Sequence, residues 1–479
     1  MPELRVELLT RGTSLSKMIC IVFILSVATS TVARAQTFQP LFSFDGTDGT
    51  FPQAALMQAT DGNFYGTTQQ GGTDTVGTVY RITAQGVQTT LHNFGGPEGY
   101  RPNASLVQGT DGNLYGTTEA GGTSEFGTVF KITPAGELTT LHSFSGPDGQ
   151  IPFGGLVQGA NGNFYGTTSG GNNGDGTVFE ITPGGTLTVL HSFDGTDGTH
   201  PYSALAQGIN GNFYGTTFGD GCNLSCGTVF TINTRGKLTT LYKFCSQTGC
   251  TDGSSPIAGV VLGSDGNFYG TTEFGGVHSS EGTVFKITPT GNLTTIYRFC
   301  TLPGCTDGLI PNAGLAQGSD GNFYGTTAEG GSGTDCLPSC GTVFKITSTG
   351  TLTTLHNFSG RTDGDTPDAA VLQGTDGTFY GTTRYGGVGS GSIYSVSTGL
   401  VPFVAFVGGY GKVGSTAEII GQGFDNATAV SFNGTAAKFV VRSDTYLTAT
   451  VPTGASTGFV TVTTSEGTLK SNQKFLVIK

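Results

Sequence analysis

Few side chains in this 479-residue sequence have the types and spacing for acid–base chemistry. His278 lies between Glu273 and Glu281, a histidine–carboxylate set of the kind that moves protons in a general acid–base site. His200 is a second candidate, and Glu119, Glu125, Glu329 and Asp335 could supply the two carboxyls of a glycosidase. No nucleophile motif stands at a fixed spacing from any of them, and P-loop, GxSxG, HExxH and sialidase-type Asp-box patterns are missing. A solvated loop is the plainer reading. His278, Glu273 and Glu281 are therefore catalytic candidates only if the protein is an enzyme.

Cysteine supplies the second chemistry, in four close pairs: Cys222 with Cys226, Cys245 with Cys250, Cys300 with Cys305, and Cys336 with Cys340. An even set in an exported chain reads as disulfides. Local pairing is simplest, but Cys222/Cys226 and Cys245/Cys250 could exchange partners, so the connectivity stays open. No His cluster accompanies the CxxxC and CxxxxC spacings, which argues against zinc. An acidic residue followed by Gly recurs at Asp48, Glu98, Asp148, Asp197, Asp252, Asp307 and Asp363. Seven carboxylates on one face could bind Ca²⁺, but Asp before Gly more simply caps a turn, and no D-x-D-x-D loop is present. Neither a metal nor a cofactor is expected.

These residues are positioned by a tandem repeat. DGNFYGTT, Asp61 to Thr68, recurs from Asp111, Asn161, Asn210, Asp265, Asp320 and Asp376, at intervals of 50, 50, 49, 55, 55 and 56 residues. Each copy reads as four short strands. In the second they are Ala104 to Gln108, Leu114 to Thr118, Thr128 to Thr133 and Leu138 to Phe144, with tight turns at Asp111-Gly112 and Pro134-Ala135-Gly136. Small residues follow the Pro that opens the first strand, as strands converging on an axis require. The seventh copy stops without its LTTLHSF strand, and Gln39 to Phe44 is that strand standing alone at the other end. A closed ring uses this offset to pair its ends and hide its edges. The expected fold is all-β: a seven-bladed β-propeller over residues 36–398, closed by an N-terminal strand. A seven-repeat open array is the alternative.

The repeats resemble those of the GloVer-type tandem-repeat proteins through DGNFYGTT, GTVFKIT and LTTLHSF, which implies a secreted or surface-anchored bacterial protein. Members often end in anchoring signals; this chain ends at Lys479 with no apolar tail or sorting motif, so anchoring by that route is not expected. From about Leu400 the repeat gives way to short strands, among them Glu418 to Phe424, Ala429 to Gly434, Phe459 to Thr463 and Phe475 to Ile478. This pattern is similar to the IPT/TIG immunoglobulin-like domain, implying a small β-sandwich over 399–479 that serves as a spacer or interaction module. Residues 1–35 read as a signal peptide: Arg5, Arg11 and Lys17 precede an apolar run from Met18 to Ala28, shorter than the ~20 residues of a membrane span, and Ala33-Arg34-Ala35 offers a cleavage site.

Composition agrees with turn-rich β-structure: 82 Gly, 11% charged and 35% hydrophobic residues. The net charge of −12 repels nucleic acid and anionic membranes. The turns at one end of the blades are uniform, whereas all length variation and all eight cysteines outside the signal segment fall in the loops at the other end, where binding sites on rigid frames usually lie. Tyr100, Phe126, Tyr202, Phe218, Phe274 and Tyr385 in those loops could stack on a sugar face, although the absence of Trp counts slightly against a lectin. The FYGTT tyrosines are read as blade packing. His92, His142, His191 and His356 share one position with Tyr242, Tyr297 and Phe42, and interchange with aromatics reads as packing too. The expectation is a secreted, monomeric, non-enzymatic protein that binds an extracellular glycan or protein. A propeller-fold polysaccharide lyase or glycoside hydrolase is the alternative, and a structural surface or matrix protein the third reading.

Overall fold

A computed structural model describes residues 36–171, 173–219, 226–277, 280–333 and 340–478, within one compact unit, Ala35–Lys479. The fold is all-β. Each repeat forms one four-stranded antiparallel sheet, in the second repeat Val107–Gln108, Leu114–Thr118, Thr128–Ile132 and Leu138–Ser143. All five residues of Leu114–Thr118 are buried, while Leu138–Ser143 is half exposed, so burial falls from the inner strands to the outer one. The last sheet is completed by the N-terminal strand, Thr37–Ser43, antiparallel to Ser392–Ser397.

The first strand is shorter than the sequence suggests, two residues instead of Ala104 to Gln108. The reason is a competing partner. The carbonyl of Ala104 accepts a hydrogen bond from the Thr67 hydroxyl of the preceding sheet, so this stretch serves the neighbour rather than its own ladder. The same bond joins Thr117 to Gly154, Thr167 to Ser203, Thr216 to Ala258, Thr271 to Ala313, Thr326 to Ala369 and, from the last sheet back to the first, Thr382 to Ala54, at 2.8 to 3.3 Å. Backbones this close leave no room for side chains: a Cβ on Gly154 would stand 2.5 Å from the Ser203 carbonyl oxygen, and one on Gly259 2.6 Å from that of Ala204.

Aromatic stacking holds the sheets face to face. Tyr115 lies on Phe164 with ring centroids 4.0 Å apart, Tyr214 on Phe268 at 3.9 Å, and Tyr380 of the last repeat on Phe64 of the first at 4.2 Å. Each of these hydroxyls emerges at a sheet end: Tyr115 donates to Asp111 at 2.7 Å and Tyr380 to Asp376 at 2.7 Å. The FYGTT tyrosine therefore packs with its ring and ties the DG turn with its oxygen.

The C-terminal sandwich has one sheet of Ala405–Val407, Thr416–Ile420, Tyr446–Thr450 and Phe439–Ser443, and another of Thr435–Ala437, Ala429–Phe432, Val460–Thr464 and Gly467–Lys470. Ile419, Phe424, Val430, Leu447, Val462 and Phe475 fill its core. It packs against the uniform end of the repeats rather than projecting from it. Phe403 donates its N–H to the Thr375 carbonyl at 3.0 Å, Gln422 reaches the Thr375 hydroxyl at 2.8 Å, and Thr445 donates to the Thr60 carbonyl at 3.2 Å.

Phe38, in the N-terminal strand, stacks on His356 at 3.6 Å and on Tyr394 at 5.4 Å. Phe38→Ala is expected to lower the unfolding free energy by about 2–4 kcal/mol in urea titrations. A loss below about 0.5 kcal/mol, the scale of a surface change, would mean that this strand only decorates a sheet stable without it.

Candidate functional site

The end of the sheets away from the sandwich carries the variable loops, and a two-loop ladder anchors them. The residue that follows each LTTLHSF crossover bridges to the second residue after FYGTT: Tyr100 to Ala120, Thr199 to Gly219, Ser254 to Phe274, Asp365 to Tyr385. The next residue in every repeat is left-handed, whatever its type: Phe51, Arg101, Ile151, His200, Ser255, Ile310 and Thr366 have φ between +54° and +57°. Such a conformation costs a β-branched side chain about 1–3 kcal/mol. It is held by backbone bonds on both sides, as where Arg101 donates to Val76 and accepts from Glu119, at 2.9 and 3.0 Å.

A Pro follows, and the side chain after it meets the side chain after FYGTT. Gln53 donates to Gln69 at 2.9 Å, Asn103 to Glu119 at 2.6 Å, and Arg384 lies 3.6 Å from Asp368. These two positions line the inner edge of the sheets at this end. Phe153 touches Tyr202 of the next repeat at 5.5 Å, Tyr202 touches Phe218 at 5.7 Å, and the Asn312 amide stands near the Asp368 carboxyl. Glu273 lies within reach of the Asp368 charge across one intervening repeat, on the same inner edge, the mouth of this end of the array. One arc of it is aromatic and the other is made of amides, carboxyls and an arginine.

The polar arc is buried and incompletely satisfied. Asn103 Oδ1, Asn312 Oδ1, Asp368 Oδ1 and Arg384 Nε are buried without a hydrogen-bond partner among the described residues. Burial pushes the Asp368 carboxyl up to about 6, against the pull of Arg384 and Asn312. Burial, with the Asp368 charge added, pushes Glu273 up to about 7. Two carboxyls on this edge are thus raised by burial, beside donors and acceptors that lack partners among the described residues.

The sequence candidates divide between this mouth and the outer loops. Tyr202 and Phe218 form its aromatic arc; Tyr385, 37% exposed, packs on Phe51 at 5.4 Å with the Arg384 guanidinium 5.1 Å from its ring. His200 stands 6.0 Å from Tyr202. Farther out, Tyr100 bonds Glu125 at 3.0 Å, Phe126 packs beneath Gly146, and Phe274 pairs with Ser254. Glu273 belongs to the mouth, whereas Glu281 is buried with Ser280 on its carboxylate. His278 and Asp335 lie outside the described residues. Asp368, Asn312, Arg384, Asn103 and Phe153 were missed by sequence reasoning. Their signal was available: they occupy the two columns beside Pro and FYGTT where the repeat changes its letter.

The histidine column requires a correction. His92, His142, His191 and His356 are hydrogen-bonded to Glu98, Asp148, Asp197 and Asp363 at 2.6 to 2.9 Å, and Tyr242 and Tyr297 donate to Asp252 and Asp307 at 2.8 and 2.7 Å. The position carries a ring with a polar tip, not packing alone. The recurrent acid is a turn cap: Asp148 accepts from the backbone and hydroxyl of Ser145. In the two cysteine-bearing crossovers, disulfides Cys245–Cys250 and Cys300–Cys305 close around the buried acids Asp252 and Asp307. Cys226 and Cys340 are disulfide-bonded as well; Cys222 and Cys336 lie outside the described residues. Among the described residues no group of three or more His, Cys, Asp and Glu is placed to hold a metal, and no helix is long and apolar enough to cross a membrane.

The Gloeobacter/Verrucomicrobia repeat matches residues 21–225, 157–336 and 301–420. The chain belongs to the Gloeobacter/Verrucomicrobia repeat family. Residues 397–477 match the IPT/TIG domain. Among curated proteins, none matches this repeat protein. A solved structure reported as the extracellular domain of a hybrid two component system from B. thetaiotaomicron is similar at 13% identity and TM-score 0.51, over 91% of this chain and 57% of that one. The repeat protein thus spans little more than half of that structure's length, and the likeness shows the fold alone, a β-propeller-like repeat. Structures described as a 6-phosphogluconolactonase from Bacteroides uniformis (17% identity, 64% and 84% of the chains, TM-score 0.42) and a gluconolactonase from Xanthomonas campestris (14%, 61% and 84%, 0.38) are more distant and carry no argument about activity.

The turn acids give a contrast that can be measured. Burial raises Asp148, but bonds from the Ser145 backbone, His142 and the Ser145 hydroxyl outweigh it and hold the carboxyl below its usual range; Asp363 is held down likewise by His356 and Ser359. Asp48, facing Phe42 in place of a donor, is raised by burial and by the Asp45 charge. A carboxyl lowered by folding stabilises above its unfolded pKa and loses that contribution as pH falls through the folded value; a raised one contributes in acid and loses it as pH rises through its folded value. At pH 7, Asp148→Asn is expected to cost about 1 kcal/mol, allowing for partial exposure, and Asp48→Asn to cost nothing or to stabilise. Equal losses in thermal melts of the two variants would contradict this account.

Proposed function

We propose that the chain is an exported binding protein: residues 1–35 a signal peptide, 36–398 a closed seven-bladed β-propeller, 399–479 an IPT/TIG domain seated on one end of it, with the mouth at the other end binding an extracellular glycan. The threonine–carbonyl bonds that run from sheet to sheet and return from Thr382 to Ala54 support closure, as does the shared last sheet. Disulfides support an oxidising compartment. The observation that carries the ligand is the two-sided mouth. Tyr202, Phe218 and Phe153 offer faces to the C–H side of a sugar ring, and Asn312, Asp368, Arg384 and Asn103 present the unpaired donors and acceptors that its hydroxyls require.

Glu273 and Asp368 favour one second reading. Two carboxyls held near neutrality could exchange a proton with a glycosidic oxygen, which would make the site that of a lyase or hydrolase. One experiment separates the two: exposure of the purified protein to arrayed glycans and envelope polymers, with bound polymer recovered and sized. Intact polymer supports binding and shortened polymer supports the enzyme. Tyr202→Ala and Asp368→Asn are each expected to weaken binding tenfold or more, about 1.4 kcal/mol, with unchanged circular dichroism. Because a ligand over Glu273 favours its neutral form, binding should fall as pH rises through about 7, and Glu273→Gln should remove that dependence. Retention of full affinity by both Tyr202→Ala and Asp368→Asn would place the ligand elsewhere.

A further inference from the structure

At the end of the sheets covered by the IPT/TIG domain, a belt of glutamines joins neighbouring repeats. Gln108 Oε1 accepts from the Thr60 N–H at 3.0 Å, and Gln158, Gln317, Gln373 and Gln58 accept in the same way from Thr110, Ser264, Ser319 and Thr375. The belt is interrupted in two consecutive places. Leu262 stands where the other repeats have glutamine, so the Ile209 N–H opposite it has no protein acceptor among the described residues; Gln207 bonds only within its own turn, to the Gly211 carbonyl.

A cleft of about 440 Å³ opens at this interruption, between repeats three to five and the IPT/TIG domain. Its apolar walls include Val157, Val260, Leu262 and Leu476. Two donors without protein acceptors among the described residues border it: the N–H of Ile209, an exposed residue, and the Lys474 ammonium, which is exposed and makes no ion pair; the Tyr410 ring lines the cleft with its hydroxyl buried behind it. The acid at its rim, Asp265, is already paired with Lys286 at 2.9 Å. An apolar cavity of this size bordered by donors of both neutral and cationic type matches one chemistry, an apolar body that ends in acceptor oxygens bearing negative charge.

We propose that this cleft binds a small amphiphilic carboxylate, a medium-chain fatty acid, between the repeat array and the IPT/TIG domain. The chain would lie against Val157, Val260, Leu262 and Leu476, with the carboxylate toward Lys474 and the Ile209 N–H. Such a ligand would touch both domains, and binding would stiffen their junction.

Calorimetric titration of the purified protein with octanoate, decanoate and decanol, each below its micelle-forming concentration, tests this. The expected result is saturable one-site binding, tightening about fourfold per added methylene, with decanoate preferred to decanol. Leu262→Gln restores the residue type that other repeats carry, so it should fold, close the belt onto Ile209 and abolish binding. Lys474→Gln, at an exposed position, should keep decanol affinity and remove the preference for decanoate. Absence of saturable fatty-acid binding, or affinity unchanged in Leu262→Gln, would overturn the proposal; so would a decanoate preference that survives Lys474→Gln. The cleft lies at the opposite end of the sheets from Asp368 and Tyr202, so glycan binding can fail while this result stands, and the reverse.

Discussion

No sheet of this array can bury both of its faces alone, and the rest of the structure depends on that constraint. The FYGTT strand is wholly buried, yet its own sheet covers only its edges; the covering face must come from the next repeat. The tyrosine ring on the neighbour's phenylalanine and the threonine hydroxyl on the neighbour's carbonyl are the two halves of that dependence, one apolar and one polar. Both require close approach. The residues after the opening Pro are small because a Cβ at Gly154 or Gly259 would enter a neighbour's carbonyl. Repetition of the letters follows from this geometry, since a change in one sheet must be matched in the next.

The two ends of the sheets resolve the constraint differently. At one end the tyrosine hydroxyls, the DG turns and the glutamine belt use nearly every polar group, and the IPT/TIG domain covers what remains. At the other end, a bridge between loops and a left-handed residue fix the backbone, so the side chains beside Pro and FYGTT pair with one another, as Gln53 with Gln69 and Asn103 with Glu119, without setting the backbone path. Backbone strain at seven equivalent positions is tolerated because hydrogen bonds on either side determine each one. Side chains freed by a rigid backbone can differ from repeat to repeat without cost to the stack.

Most of the scaffold was legible in the sequence because its determinants are local: the DG turn, the alternating strands, and a missing last strand that reappears at Gln39. The first strand was overread, since the pattern of Ala104 to Gln108 does not reveal that the Ala104 carbonyl is claimed by Thr67 of another repeat. The histidine column was misread for a related reason. Exchange with tyrosine indicates a ring, but only the fold shows that the ring tip meets an acid six or more residues along the chain. In the C-terminal sandwich the strand Phe439–Ser443 went unread, as its half-exposed alternation lacks a flanking turn signal. The mouth was half legible. Glu273, Tyr202 and Phe218 were picked as loop residues, whereas Asp368 and Asn312 looked like ordinary polar positions after Pro, because convergence on an axis is a property of the whole array.

That convergence bears on whether the repeat serves a purely structural role. Leaving a buried polar atom unpaired costs about 1–3 kcal/mol, and among the described residues Asn103, Asn312, Asp368 and Arg384 each carry one, as Tyr80, Tyr394 and Thr398 do elsewhere in the array. An apolar residue such as Ile257, which occupies the same column as Asn103, Asn312 and Asp368, carries no such cost. The stack tolerates the unpaired groups because its stability comes from the sheet faces, away from the axis. Symmetry in the backbone and asymmetry in these two columns are therefore parts of one arrangement: the repeats fix the inner edge of the sheets, and the unlike side chains along it give that edge polar and aromatic stretches.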